Sequence, residues 1–225
     1  MAINTYAPSV SETAVYGTVN YGEYVIHTKT TNLSFLKLFQ YLKSKGIRNN
    51  KFFLKLYDAS LMNVDPHSKR LTTEQKLKIL TECTKNPYYF LREVVRVNIP
   101  GGKTCFELHP GNLAITWAVL NSLDLIGLLP RQRYKTISIA AVLSWVYDFG
   151  TTNTHMLFGN KSLGDAKNNL RRFKEIRENL PDFLKTATLS PKDENNIESI
   201  KSDKTKNKID VSGQPLNEEA ADKQG

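Results

Sequence analysis

Cysteine and long apolar runs are scarce in this sequence of 225 residues. The two cysteines, Cys83 and Cys105, are too few for a disulfide framework and lack metal-ligand spacing, which indicates a reducing compartment. No segment reaches the roughly 18 apolar residues that span a bilayer, so we expect no membrane association through such a span. The first residues carry neither the basic cluster nor the apolar stretch of a secretory signal, and we therefore expect a protein that is not secreted.

Acidic residues are fewer than basic ones, with 22 Asp and Glu against 31 Lys and Arg and a net charge of +9. The excess lies in residues 1–185, because residues 186–225 are slightly acidic. A basic body is typical of proteins that contact nucleic acid or nucleotide phosphates, although a solubilising surface explains the charge equally well. The composition of residues 186–225 indicates a polar, poorly ordered tail.

Helical periodicity dominates the first half of the chain. Residues 1–31 show no helical period, and we interpret them as an arm or a few edge strands. Thr72 and Gln75 have the spacing of a capping box, and Asn86 precedes a proline that suits the first position of a helix. We predict helices over 32–45, over about 73–85, and from Pro87 onward.

Strands and helices alternate beyond residue 95. The pattern predicts a hairpin over 96–108 with its turn at Pro100, a helix from Pro110 to about Ser122, a buried strand over 125–129, a helix over 135–149, a strand over 155–158 and a helix over 162–180. This order predicts an α/β fold with a mostly parallel sheet and flanking helices. Ligands of such sheets bind at the carboxyl ends of strands, beside helix N-termini, which is where the loop 130–136 lies.

Lys135 and Thr136 stand where a phosphate-binding loop has its Lys-Thr pair. In such a loop the backbone amides hold phosphate, the lysine reaches the outer phosphates and the hydroxyl binds Mg²⁺. The general pattern requires glycine where Leu129 and Tyr134 stand, so a basic turn with a solvated lysine is the alternative. Gly102-Lys103-Thr104 matches the end of the same pattern, but it belongs to the predicted hairpin and we interpret it as a turn.

Several blocks, in the correct order, resemble the ATPase region of the large terminase subunit of tailed bacteriophages: 86-NPYYFLREVV-95, 106-FELHPGNLA-114, 128-LLPRQRYKT-136 and the segment 149–184. The family's loop, (Ser/Pro)-Arg-Gln-x-Gly-Lys-Thr, fits residues 130–136 in register except at Tyr134. The resemblance implies a partial P-loop ATPase of the ASCE type over 81–225, preceded by an N-terminal arm and helical lead-in over 1–80. It also implies ATP and Mg²⁺ as cofactors.

The resemblance places the nucleotide site at six residues: Arg131, Gln132, Arg133, Tyr134, Lys135 and Thr136. Lys135 would hold the outer phosphates, Thr136 would bind Mg²⁺ through its hydroxyl, and Arg131 would sense the γ-phosphate or tie the loop to its neighbours. Asn112 stands where the family has an adenine-reading Gln, and a role in the first turn of a helix is the alternative. Tyr134 replaces the family's glycine, so we expect its ring to block the phosphate or the loop to reshape.

The family's hydrolytic machinery is missing from the sequence. No apolar strand ending in Asp-Glu follows residue 184, and we interpret the pairs Asp193-Glu194 and Glu218-Glu219 as solvated charge. The two-metal carboxylate cluster of the nuclease domain is missing too, so no residue is assigned as catalytic.

The resemblance therefore implies the N-terminal ATP-binding portion of a viral DNA-packaging motor that acts in the host cytoplasm. Its expected partners are duplex DNA, the remaining terminase large-subunit segment, the portal and the small terminase subunit. A catalytically dead module that binds only DNA or motor subunits is one alternative. A basic α/β nucleic-acid-binding protein outside this family is another.

Overall fold

The computed structural model describes residues 24–128 and 134–213. Within these ranges the helices are α1 (Leu33–Ser44), α2 (Thr73–Lys85), α3 (Pro87–Tyr89), α4 (Pro110–Leu120), α5 (Lys135–Trp145), α6 (Leu163–Glu178) and α7 (Asp182–Thr188). Two π-helical turns continue α3 and α5, at Phe90–Val94 and Val146–Gly150. None of these helices is long and apolar enough to cross a membrane.

The strands of the described residues form three small sheets: β1 (Val25–Ile26) with β2 (Lys55–Leu56), β3 (Arg96–Ile99) with β4 (Gly102–Cys105), and a four-stranded sheet of β5 (His155–Asn160), β6 (Glu194–Asn195), β7 (Ser199–Lys201) and β8 (Lys208–Gly213). The order in the last sheet is β5-β8-β7-β6. Only the β5–β8 pairing in it is parallel, and the other pairings are antiparallel. The α/β class is therefore confirmed, but the described sheet is mixed rather than mostly parallel.

Local signals predicted the helix starts correctly. The Thr72 hydroxyl accepts from the Gln75 amide at 3.2 Å, and the Gln75 side chain accepts from the Thr72 amide at 3.0 Å. The Asn86 side chain accepts from the Tyr89 amide at 3.0 Å and caps the helix that begins at Pro87. The predicted hairpin is the β3–β4 pair, and Gly101 takes a positive φ of 85° at its turn. These predictions are confirmed because each depends on residues close together in the chain.

Residues 189–213, which follow α7, contain three strands, whereas their composition predicted a poorly ordered tail. Strands β6, β7 and β8 lie within residues 194–213, and Ile200 and Ile209 are buried in the core. The average polarity of the segment does not reveal these strands, because a strand with one buried face needs an apolar residue only at alternate positions. Residues 214–225 lie outside the described part of the chain.

The strand predicted over 125–129 is wrong for the residues that the structure describes. Residues 123–128 form no ladder with any described strand, and the side chains of Ile126 and Leu128 are each 95% exposed. A strand buried on both faces requires neighbours on both edges and helices on both sides. The described residues supply none of these to the segment, so its apolar composition alone does not make it a strand.

The core is one continuous hydrophobic cluster that extends from β1 to β8. Helix α6 places Leu170, Phe173 and Ile176 in it, on one face at helical spacing. Helix α5 contributes the small residues Ala140 and Ala141, which let neighbouring helices approach closely. The core therefore fixes α5 against α6, and α6 against β5 and β8 of the four-stranded sheet.

Candidate functional site

The start of α5 has an unusual backbone conformation. Tyr134, immediately before the helix, has φ 52° and ψ 12°, in the left-handed region. This region costs an L-residue other than glycine roughly 1–2 kcal/mol. The Tyr134 carbonyl accepts hydrogen bonds from the amide and the hydroxyl of Ser138, both at 2.8 Å. Tyr134 thus adopts the conformation that glycine favours, at the position where the terminase loop has glycine.

Lys135 and Thr136 form the first turn of α5. Lys135 is exposed and Thr136 is half-buried. Within the described part of the chain, the Lys135 amine contacts no carboxylate and the Thr136 hydroxyl makes no hydrogen bond. The first turn of α5 also contains no acidic residue. Because a helix N-terminus carries partial positive charge, these groups favour an anion at this end of α5. Arg131, Gln132 and Arg133 lie outside the described residues.

Helices α5 and α6 run in the same general direction. They pack along each other, and a buried ion pair joins their carboxyl ends: Arg177 Nη2 lies 2.7 Å from Asp148 Oδ1, and Arg177 Nε lies 3.0 Å from Asp148 Oδ2. Similar lengths of helix separate Lys135 from Asp148 and Leu163 from Arg177. The amino ends of the two helices therefore lie on the same side of the molecule.

That side is also where the parallel strands end. Helix α6 starts directly after β5, whose last residue, Asn160, pairs in register with Gly213 of β8. A Cβ at Gly213 would lie 2.8 Å from the Leu163 amide nitrogen, so the end of β8 touches the start of α6. We call this region, the ends of β5 and β8 with the first turns of α5 and α6, the strand-end face. It is the position at which α/β sheets bind ligands.

The amino end of α6 differs from that of α5 because a carboxylate is present. Asp165 stands in the first turn of α6, where it accepts a hydrogen bond from the Ser162 hydroxyl at 2.7 Å. The same hydroxyl accepts from the Asp165 amide at 3.1 Å and caps the helix. The negative charge and the satisfied cap make α6 the weaker anion site. On the strand-end face, an anion would therefore favour the start of α5.

Asn112 lies in the first turn of α4, where it forms part of a capping box. Its side chain is fully buried: Oδ1 accepts from the His109 amide at 2.7 Å, and Nδ2 donates to the Glu107 carbonyl at 2.6 Å. Both ends of the amide are therefore used within the fold. This geometry favours the helix-turn role over the adenine contact that the resemblance implies.

A cavity of about 600 Å³ lies beside this cap, between α1 and the segment that leads from β4 into α4. Its wall carries one cation and one carboxylate, Lys37 and Glu107, together with the half-buried thiol of Cys105 and the ring of Tyr41. The opposite charges balance, so the cavity has no electrostatic preference for a polyphosphate.

The acidic pair after α7 has structural roles. The Asp193 carboxylate accepts from the amides of Ser190 and Asp203, at 3.0 and 2.8 Å, and the exposed Glu194 pairs with Lys201 at 3.1 Å. The pair Glu218-Glu219 lies outside the described residues. Within residues 24–128 and 134–213, no three His, Cys, Asp or Glu side chains cluster in a way that could hold a metal ion.

Asn207 lies at the opposite end of the sheet from the strand-end face, and sequence reasoning did not identify it as a structural residue. This buried side chain donates to the carbonyls of Tyr147 and Thr151, both at 2.8 Å, and accepts from the Thr154 amide at 2.8 Å. It thereby joins the end of α5 to the starts of β5 and β8. An asparagine inside a polar stretch has no local signature of such a role, because its partners lie more than fifty residues away.

No family model matches the chain, and no curated protein matches it in sequence.

Proposed function

We propose that this chain is the N-terminal, ATP-binding portion of a viral DNA-packaging motor of the terminase large-subunit type. The motor would couple ATP hydrolysis to the movement of duplex DNA into the prohead, in the host cytoplasm. The hydrolytic half would come from another segment, since this sequence contains no apolar strand ending in Asp-Glu after residue 184. The finer fold assignment, a partial P-loop ATPase of the ASCE type, is part of this proposal.

One observation carries the proposal. Lys135 and Thr136 begin a helix on the side where two parallel strands end, and Tyr134, which stands at the family's glycine position, has a left-handed backbone that glycine favours. Neither the Lys135 amine nor the Thr136 hydroxyl has a partner among the described residues. For Tyr134, Lys135 and Thr136 this arrangement supports the resemblance, because the left-handed backbone at Tyr134 is not contained in the sequence pattern. The buried strand expected before the loop is not formed by residues 125–128.

Each residue of the site has a defined task in this proposal. The Lys135 amine would attract the outer phosphates, and the first-turn amides of α5 would donate hydrogen bonds to phosphate oxygens. Thr136 would supply a hydroxyl ligand to Mg²⁺, which would neutralise phosphate charge. Arg131 would contact the γ-phosphate or tie the loop to its neighbours.

Tyr134 favours a second candidate, a module that has lost nucleotide binding and retains only its binding to DNA or to motor subunits. A phenol ring, 43% exposed, projects from the position where the family's glycine permits close approach of phosphate. If the ring obstructs the site, the same fold would serve only as a structural part of the motor.

Nucleotide titration distinguishes the two candidates. We expect calorimetry with ATP and Mg²⁺ to detect binding that Lys135→Ala weakens about tenfold or more, since a charge-assisted contact to phosphate is lost. Tyr134→Gly should raise the affinity by about tenfold, because it removes the ring and the strain together. Lys85→Ala, which removes an exposed lysine at the end of α2, is the matched control and should bind as the wild type does.

Undetectable binding in both the wild type and Tyr134→Gly would contradict a nucleotide role and leave the non-catalytic module as the better description.

A further inference from the structure

We infer that a basic cleft on the described surface, away from the strand-end face, binds the phosphate backbone of duplex DNA. The cleft has a volume of about 480 Å³ and lies between the turn at 66–69, the β3–β4 hairpin and the corner from α6 into α7. Four lysines line it: Lys69, Lys76, Lys103 and Lys185. The inference deepens the proposed function, because duplex DNA is the partner which that function requires.

Three of these lysines are available to an anion. Lys69, Lys76 and Lys103 are exposed, and within residues 24–128 and 134–213 none of them makes an ion pair or a side-chain hydrogen bond. Some other lysines on this surface are paired with carboxylates: Lys206 contacts Asp203 at 2.9 Å, and Lys208 contacts Asp210 at 2.7 Å. Unpaired lysines that converge on one concavity produce a local positive potential.

The carboxylates of the cleft do not cancel this potential. Asp182 is engaged with Lys185, whose amine lies 2.7 Å from it, and this leaves Glu178 as the other acidic side chain of the lining. The guanidinium of Arg96 adds a further cation near His67, whose pKa is lowered by burial and by this neighbouring charge. The lining therefore retains a net positive charge.

The cleft is held in place by partly buried hydrogen bonds. His67 Nε2 donates to the Val94 carbonyl at 2.8 Å and ties the turn to the segment before β3. Asn179 Nδ2 donates to the Arg96 carbonyl at 3.2 Å and to Asn98 Oδ1 at 2.8 Å, which ties the α6–α7 corner to the hairpin. The elements that carry Lys69, Lys103 and Lys185 are thus each tied to β3 or to the segment before it. Lys76 lies on α2, which these hydrogen bonds do not include.

Duplex DNA is the ligand that this chemistry favours. Lysines are point charges without the planar fork that reads base edges, so they suit sequence-independent contacts to backbone phosphates. The free lysines also lie on three separate elements, which suits an extended polyanion better than a single phosphate group. A packaging motor must hold DNA of any sequence, and such contacts meet that requirement.

The test compares two triple variants of equal charge. The cleft variant is Lys69→Gln, Lys76→Gln and Lys103→Gln, and the control is Lys43→Gln, Lys85→Gln and Lys192→Gln, which removes exposed lysines from outside the cleft. Binding to a short fluorescent duplex is followed by anisotropy over a series of salt concentrations. The cleft variant should lose on the order of tenfold in affinity at low salt, and its salt dependence should weaken by about one unit of slope per lysine. The control should stay close to the wild type.

Equal losses in the two triple variants would overturn the inference, because they would reflect net charge alone. A cleft variant that loses binding to polyglutamate but keeps binding to the duplex would assign the cleft to an acidic protein segment and would also overturn it. Thermal unfolding establishes that each variant is folded, and Lys103→Gln alone, at the hairpin, provides a milder second variant. Nucleotide binding is measured by calorimetry and duplex binding by anisotropy, so failure of the nucleotide proposal and failure of this inference remain distinguishable.

Discussion

Glu93 is a buried carboxylate that ties α3 to the amino-terminal strands. Its Oε1 lies 2.8 Å from Arg92 Nε and 3.1 Å from His27 Nδ1. Burial opposes ionisation of this group, but the neighbouring His27 ring and the charge of Arg92 outweigh it and lower the pKa of Glu93 from 4.5 to about 2. The ionised form is therefore the one that the fold stabilises.

This depressed pKa predicts how stability depends on pH. The stabilisation is fully present above pH 4.5 and is lost as the pH falls from 4.5 through 2, because the unfolded chain takes up the proton first. It amounts to on the order of 3 kcal/mol. Glu93→Gln should be less stable at neutral pH, and the difference from the wild type should shrink as the pH falls towards 2. Urea unfolding over this range measures it, with exposed Glu107→Gln as control, and a difference that does not change with pH would contradict the assignment.

Sequence reasoning at the scale of residues succeeded where the chemistry is local. It identified the Thr72–Gln75 capping box, and it named Tyr134 as a departure from glycine, which the left-handed φ of 52° makes physically concrete. It left two roles open for Asn112, and the buried cap settles the use of that side chain within the fold. It did not find the partners of Glu93, because His27 is distant in the chain.

At the scale of elements, one buried ion pair aligns α5 with α6. Arg177 and Asp148 are 6% and 7% exposed, and the guanidinium also lies 4.8 Å from the centroid of the Tyr147 ring. Both helices were predicted from periodicity, but their mutual direction was not, because it depends on a contact between residues that are far apart in sequence. The ion pair joins the carboxyl ends of the two helices. It thereby also sets the position of their amino ends, which form part of the strand-end face.

Removing one member of this pair should be costly. Arg177→Met leaves Asp148 buried without its partner, and we expect a loss of about 3–5 kcal/mol in the free energy of unfolding. The double variant Arg177→Met, Asp148→Leu should recover most of that loss, because no unpaired charge remains. Arg171→Met breaks an exposed pair with Glu175 on the same helix and should cost less than about 1 kcal/mol. Similar losses for Arg177→Met and Arg171→Met would contradict a structural role for the buried pair.

At the scale of the whole molecule, the sheet shows where local patterns stop being informative. The α/β class and the strand at β5 followed from the alternation of apolar segments. The mixed character of the sheet did not, because β6, β7 and β8 are short and polar on average. The strand predicted for the apolar run before residue 129 was wrong for the reverse reason. The composition of the run suits a buried strand, but burial depends on neighbouring strands, and none of the described strands pairs with it.

Although this run is apolar, we predict that its side chains contribute little to the stability of the fold. Ile126 and Leu128 are each 95% exposed, so the double variant Ile126→Ser, Leu128→Ser should change the free energy of unfolding by less than about 0.5 kcal/mol. Ile209→Ala, at a fully buried position of β8, is the control and should cost about 2–5 kcal/mol. A loss above about 1 kcal/mol in the double variant would mean that the run is buried as its sequence predicts.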